Sequence, residues 1–483
     1  MSPRTTRRGV LRRTGITGAI GLSIAGCLGQ EEQDDGSDGD DGDDGDDGSD
    51  GSDGTDGGAG SDDPSDEPEG TVRIGVLQPM TGDLEYYGTQ SLWGFLSGLA
   101  YKYDAAPAAV ETAGQETIEG ENVTYELYVE DTQFSGDQAQ SLATQLVQDR
   151  DVDLLFGTSS SGAAEQVVRN VVEPAGVPMV IGPAAGANLT SDGETCNELV
   201  FRASENTAMD ARSGGRYVAQ ETDVEAVYIM AADYTFGYAV ADNYERVLEE
   251  EGVDVVGTDF VPQEYSEFEG HFENAVDAGA DAVIGGFTVA TLPQFLSTGL
   301  AGGYGLRMFG GFATQITNAA IGEVAGNVLG EPLTAEALEE AQLGPFTTRY
   351  HWNQYDNAIN DWFVENYTDV YGVVPDLFTS GTFVAASSIV QAVRESGSTD
   401  GAEIAATMRG MTVTDTPKGE GGYEYQEYNN QARSAMTIAN PVPTDDEWAD
   451  DWDSAVMPSE PLATIGMDET TIPADDPEMN CDL

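Results

Sequence analysis

The chain has 483 residues, 87 of them acidic and 19 basic, for a formal net charge of −68. No basic patch is present to displace counterions from phosphates, so nucleic acid and anionic lipid heads are excluded as partners. Only two histidines occur, His271 and His351, and no His-Glu-x-x-His, Gly-x-Ser-x-Gly or Gly-x-x-x-x-Gly-Lys pattern is found. Neither an enzyme nor a bound cofactor or metal is therefore expected.

The first elements in chain order are signals. Thr6-Arg7-Arg8-Gly9-Val10-Leu11-Arg12 fits the twin-arginine export pattern, and the apolar run over 15–26 is far shorter than the ~20 residues that span a bilayer. It ends in Ile24-Ala25-Gly26-Cys27, a lipobox whose small residues admit a signal peptidase. Residues 1–27 thus read as a removable signal. Cys27 becomes a lipidated N-terminus that anchors the folded protein outside the cytoplasmic membrane. From Gln30 to Gly70 the chain is almost wholly Asp, Gly, Ser and Glu, without an apolar residue large enough to seed a core, and 28–70 is expected to form a disordered acidic linker.

About 410 residues follow, enough for two domains. Apolar runs at 71–77, 123–129, 152–157 and 177–181 read as strands, with helices over 92–103 and 136–149 between them. The rhythm restarts at 226–230, 253–256, 282–285 and 306–309. Strands alternating with helices imply parallel sheets, and two series imply an α/β fold of two doubly wound lobes with a cleft between them. Ligands of such sheets bind beyond the carboxyl ends of the strands, so the loops there carry the function.

Of the 87 acids, 19 fall in the linker, which leaves 68 acids against 14 bases after Gly70. Lysine occurs twice, at Lys102 and Lys418. This composition resembles that of haloarchaeal proteins, whose charge is tolerated where molar salt shortens the Debye length to ~3 Å. With Cys27 assigned to lipid, Cys196 and Cys481 remain as a pair in an oxidising compartment, and a disulfide holding the C-terminal tail to the first lobe is expected.

Specific loop motifs extend the reading. Ile74-Gly75-Val76-Leu77-Gln78-Pro79-Met80-Thr81-Gly82 with Tyr87-Gly88 resembles the opening of the branched-chain amino-acid binding proteins, which have the type I periplasmic-binding fold and feed ABC importers. Glu130-Asp131-Thr132-Gln133, Gly157-Thr158-Ser159-Ser160-Ser161-Gly162, Tyr234-Thr235-Phe236-Gly237 and Thr416-Pro417-Lys418-Gly419 match the family in order and spacing. The resemblance implies two lobes joined by a three-strand hinge. The first takes 71–203 plus 326–412, the second 204–325 plus 413–450, and 451–483 is a C-terminal tail.

It also implies a site. Ser159, Ser160 and Ser161 would offer hydroxyls and helix-end N–H groups to an anion, although one of them suffices as a helix cap. Ala184 and Ala185 would offer backbone groups, and Tyr87 a ring at the cleft mouth. On the second lobe Phe236, Phe287 and Phe312 stand where the family often has tyrosine or, at the last position, an acid for a ligand ammonium. Either Asp233 or Glu205 replaces that acid, or the rings of Phe236, Phe287 or Phe312 hold the cation, or the ligand lacks an ammonium. The partners implied are a small amino acid, amide or carboxylate and a membrane permease, with the protein itself a monomer. The runner-up is a tethered sensor of amide type that presents its ligand to a separate receptor.

Overall fold

The computed structural model describes residues 68–310 and 314–483. The signal, Cys27, the acidic linker as far as Glu67 and Phe312 lie outside the described residues. The first lobe is built on β1 (Gly70–Gln78), β2 (Gly114–Glu119), β3 (Val123–Asp131), β4 (Leu154–Gly157), β5 (Met179–Ile181) and β6 (Val200–Arg202). Their order is β2-β3-β1-β4-β5-β6, parallel throughout except for β2, which pairs antiparallel with β3. Alternation along β1 sends Val72, Ile74 and Val76 to one face, where they meet Leu92, Phe95 and Leu99 of the helix Glu85–Tyr101. Leu77 faces the other way, toward Ala139, Ala143 and Leu146 of the helix Gly136–Asp149. A sheet covered on both faces needs continuous apolar strands, which is why these runs stand out in the sequence.

The second lobe is built on β7 (Ala226–Ala232), β8 (Asp254–Val261), β9 (Ala282–Gly286) and β10 (Arg307–Phe309), ordered β10-β9-β7-β8 and all parallel. The remaining strands are short: β11 (Phe346–Thr348), β12 (Thr412–Val413), β13 (Tyr423–Tyr425), β14 (Ala432–Ser434), β15 (Met436–Ala439), β16 (Pro441–Pro443), β17 (Val456–Pro458) and β18 (Ala463–Ile465).

Two lobe boundaries differ from the expectation. Val413, Tyr423, Tyr425 and Ala432 lie in the first-lobe core. Alternation puts both tyrosine rings on one face of β13, and a partner for them exists only under the first sheet. Conversely Ile321, Ala325, Leu338 and Leu343 pack in the second-lobe core with Met308 and Phe295. Residues 326–346 therefore belong with the second lobe and 413–434 with the first. The chain crosses between lobes near 204–206, 347–349 and 434–435.

Buried charge joins those crossings. The Glu205 carboxylate takes Lys418 Nζ at 2.6 Å, the Tyr423 hydroxyl at 2.7 Å and the Ser434 hydroxyl at 2.9 Å. Arg349 donates to both Asp210 carboxylate oxygens, at 2.9 and 2.5 Å, and to the Glu205 carbonyl at 3.1 Å. All three passages are thus fastened to one another at side chains that are almost fully buried. Beyond β18 the tail returns to the first lobe, where Cys481 forms a disulfide with Cys196, their Cα atoms 5.9 Å apart. No helix among the described residues is long and apolar enough to cross a membrane.

Candidate ligand site between the lobes

The loops after β3, β4, β5, β7 and β9 line the cleft with Phe134, Ser159, Pro183, Tyr234 and Thr288. After β4 the chain turns through Thr158 and Ser159, and Ser160 caps the helix Ser161–Val167 by accepting from Ala163 N at 3.4 Å. Capping turns the Ser160 hydroxyl back onto its own helix and leaves its neighbours to face the cleft. Ser159 Oγ donates to Gln78 Oε1 at 2.6 Å. Gln78 in turn is fixed by donating to Ser91 Oγ and to the Gly182 carbonyl, at 2.7 and 2.9 Å. Ser161 Oγ accepts from Gly186 N at 3.0 Å.

A narrow cavity of about 30 Å³ lies between the lobes. It is lined from the first lobe by Tyr87, Phe134, Ser159, Ser161, Pro183, Ala185 and Phe378, and from the second by Tyr234, Phe236 and Thr288. The lobes already touch around it. The Tyr87 hydroxyl accepts from Val289 N at 3.0 Å, and Asp376 accepts from Gln315 N at 2.9 Å. Burial raises the Tyr87 phenol well above its ordinary value, so it is a neutral hydroxyl at any physiological pH.

The structure brings together part of the expected set. Tyr87, Ser159, Ser161, Ala185 and Phe236 line the cavity. Ser160 serves its helix instead. Ala184 is buried, its N–H donates to the Thr158 carbonyl, and its own carbonyl accepts from Arg202. Phe287 packs against Phe268 and Phe295 inside the second lobe, at ring distances of 5.4 Å from each. Adjacent residues after an extended strand face opposite ways, so it is the next residue, Thr288, that looks into the cleft.

Neither substitute acid reaches the cavity. Glu205 is engaged at the hinge, and Asp233 is exposed and takes the Tyr238 hydroxyl. Asp376 lies behind the Tyr86 and Tyr87 rings, holds Tyr86 and Gln315, and does not line the cavity. No carboxylate lines it among the described residues.

Phe134, Thr288 and Phe378 carry no expectation from the sequence, while Tyr234 stands in a matched motif and Pro183 beside Ala184 without either being assigned to the site. Phe134 had a positional signal, since it directly follows the acidic loop Glu130-Asp131-Thr132-Gln133; in the structure Gln133 and Phe134 both adopt left-handed backbone, φ 50° and 59°. There Asp131 ties β3 to β1 by accepting from Met80 N, Thr81 Oγ1 and Gln133 N. A bulky residue in that conformation is held for a reason. Phe378 comes from more than 200 residues farther along and had none.

The profile of one family, described as periplasmic binding protein, matches residues 71–446. The chain belongs to the periplasmic binding protein family. Among relatives, this periplasmic binding protein is 24% identical over 382 residues to Leu/Ile/Val-binding protein homolog 7 of Brucella suis, covering 76% of this chain and 88% of that one. Its fold is similar to that of an amino acid ABC transporter substrate-binding protein from Pseudomonas fluorescens Pf-5, at TM-score 0.68 and 19% identity, covering 86% of this chain and 99% of that chain. It is also similar to an ABC transporter solute-binding protein of R. palustris in complex with 4-hydroxybenzoate, at TM-score 0.64 and 17% identity, covering 82% and 98%.

Proposed function

We propose that this chain is the extracellular solute-binding protein of an ABC importer, lipid-anchored through Cys27, and that it captures a small aromatic carboxylate between its lobes for delivery to a permease. One observation carries the ligand class. The interlobe cavity has the aromatic walls Tyr87, Phe134, Tyr234, Phe236 and Phe378 and serine hydroxyls at one edge, and no described carboxylate lines it. An α-amino acid would bring an ammonium into that space, and an unpaired buried ammonium costs several kcal/mol. A carboxylate finds a donor in the Ser161 hydroxyl, since that of Ser159 already donates to Gln78, and its apolar body finds rings. Thr288 adds a second polar point from the other lobe. The residue lines the cavity and its hydroxyl is buried without a hydrogen-bond partner, so a ligand bearing a ring hydroxyl would supply one. The binding of 4-hydroxybenzoate by a protein of the same fold supports this class.

Ligand bridging both lobes favours the closed arrangement and so marks the loaded protein for the permease. The test is isothermal titration of the chain in molar salt with benzoate, 4-hydroxybenzoate, leucine, phenylalanine and a short amide. Benzoates are expected to bind and the amino acids not. Thr288→Val should weaken 4-hydroxybenzoate about ten-fold and leave benzoate unchanged, the worth of one buried hydrogen bond. Binding of leucine or phenylalanine with benzoate inert would sink the ligand class but keep solute capture. Silence from every ligand would sink both.

A further inference from the structure

The interlobe cleft does not end at the ligand cavity. The same loop and helix continue past it: Ala185 and Phe236 line the cavity, and Ala187, Asn188, Ser191 and Asp192 then face Ala239, Asp242, Asn243 and Arg246 across a groove of about 690 Å³. Ile472, Glu478 and Asn480 of the tail also line this groove. The tail is fastened on both sides of it. On the first lobe Asn480 N donates to the Ser191 carbonyl at 2.9 Å, Cys481 is bonded to Cys196, and Leu483 N donates to the Tyr428 carbonyl at 3.1 Å. On the second, Asp476 holds Arg212 at 2.7 Å and Arg246 at 3.4 Å, and Glu478 holds Arg246 at 2.5 Å. Ahead of both grips along the chain, Ile472 is buried against Ala187 and Ala208.

We propose that residues 471–483 are a strap across the flank of the cleft that limits how far the two lobes part. The covalent grip lies on the first lobe and the ionic grip on the second, on the helix Thr235–Glu250 that also carries Phe236 into the cavity. Parting the lobes must pull Arg212 and Arg246 away from Asp476 and Glu478, because the disulfide keeps the tail with the first lobe. Arg212 and Asp476 are 6% and 12% exposed, so salt screens this pair less than a surface one. The strap thereby adds a fourth link to the three hinge crossings and biases the free protein toward closure. This use of the strap rests on capture by lobe closure, but its action on the lobes can be measured without ligand.

Hydrogen exchange of the full chain, ligand-free and in molar salt, reads lobe opening at the amides of Val289 and Gln315, which bond across the cleft. Exchange in β1 and β7 reads the integrity of each lobe. Asp476→Asn with Glu478→Gln, Cys196→Ser with Cys481→Ser, and the four changes together should each speed exchange at Val289 and Gln315. The rise should be about three- to ten-fold and largest in the combined variant, with β1 and β7 unchanged. Unaltered exchange at Val289 and Gln315 in the combined variant overturns the proposal. So does an equal rise in β1 and β7, because the tail would then support the lobes' own fold rather than their opening. Failure of every ligand in the titrations above would leave this result standing, and the reverse holds as well.

Discussion

Three consecutive serines carry different duties, and the division is set by helix geometry. Ser160 sits at the cap, with extended backbone (φ −95°, ψ 126°) and its oxygen turned onto Ala163 N. Ser159 and Ser161 flank it and face the cavity. Ser160→Ala should therefore cost about 1 kcal/mol of stability, the usual worth of a cap, and leave ligand affinity unchanged. Ser159→Ala with Ser161→Ala should abolish ligand binding and also lower the urea midpoint, because Gln78 Oε1 and Gly186 N each lose a partner. Paired urea melts and ligand titrations on the two variants separate the roles, and loss of affinity in Ser160→Ala would refute the division. The sequence shows that such a turn needs one cap, but three adjacent serines are chemically equal until the backbone chooses among them. The same limit applied at Phe287 and Thr288. A single step along the chain exchanges core for cleft, and apolar composition alone favours the wrong one of the two.

At the level of elements, the long apolar strands of both sheets were legible because two-sided burial writes continuous runs into the sequence. Two of the three crossings were not. They are short, polar and held by charges drawn from distant segments, such as Glu205, Lys418 and Arg349. Glu205 shows how those charges behave. Burial by itself would raise its carboxyl, but the Lys418 ammonium and the Tyr423 hydroxyl outweigh that and hold it below the ordinary carboxylate value. Lys418 is lowered, because burial strips its water by more than Glu205 restores. The two shifts disagree about whether burying the pair is favourable on balance, and the contacts at 2.6–2.9 Å on Glu205 favour its ionised form. A folded value below the unfolded one stabilises the protein above the ordinary carboxylate value of 4.5. That contribution disappears as pH falls through the folded value. Glu205→Gln should cost about 3–5 kcal/mol at pH 7 by stranding Lys418, and should flatten the acid side of the stability profile. Urea melts from pH 7 to pH 3 in molar salt measure both, and a variant as stable as the parent at pH 7 would remove the hinge pair from the account.

Over the whole molecule, the distribution of cations matters more than their number. Both lysines are withdrawn from the surface: Lys418 binds Glu205 and Lys102 binds Asp415, with side-chain exposures of 2% and 4%. Arg349 and Arg212 are similarly spent on Asp210 and Asp476. Fourteen bases against 68 acids after Gly70 thus overstate the neutralisation available outside, because several of the cations face inward. The surface carboxylates repel one another over a Debye length of ~10 Å at 0.1 M salt but only ~3 Å at 1 M. Folding gathers these charges together, so dilution raises the free energy of the folded state faster than that of the extended chain. The buried pairs are screened least and cannot offset the change. Near-UV circular dichroism of the chain is therefore expected to vanish as salt is lowered below about 0.5 M and to return on restoring it. Potassium and sodium chloride should act alike if screening is the cause. Loss with one cation and not the other would indicate specific ion binding instead, and full tertiary signal in dilute buffer would show that packing alone overcomes the repulsion.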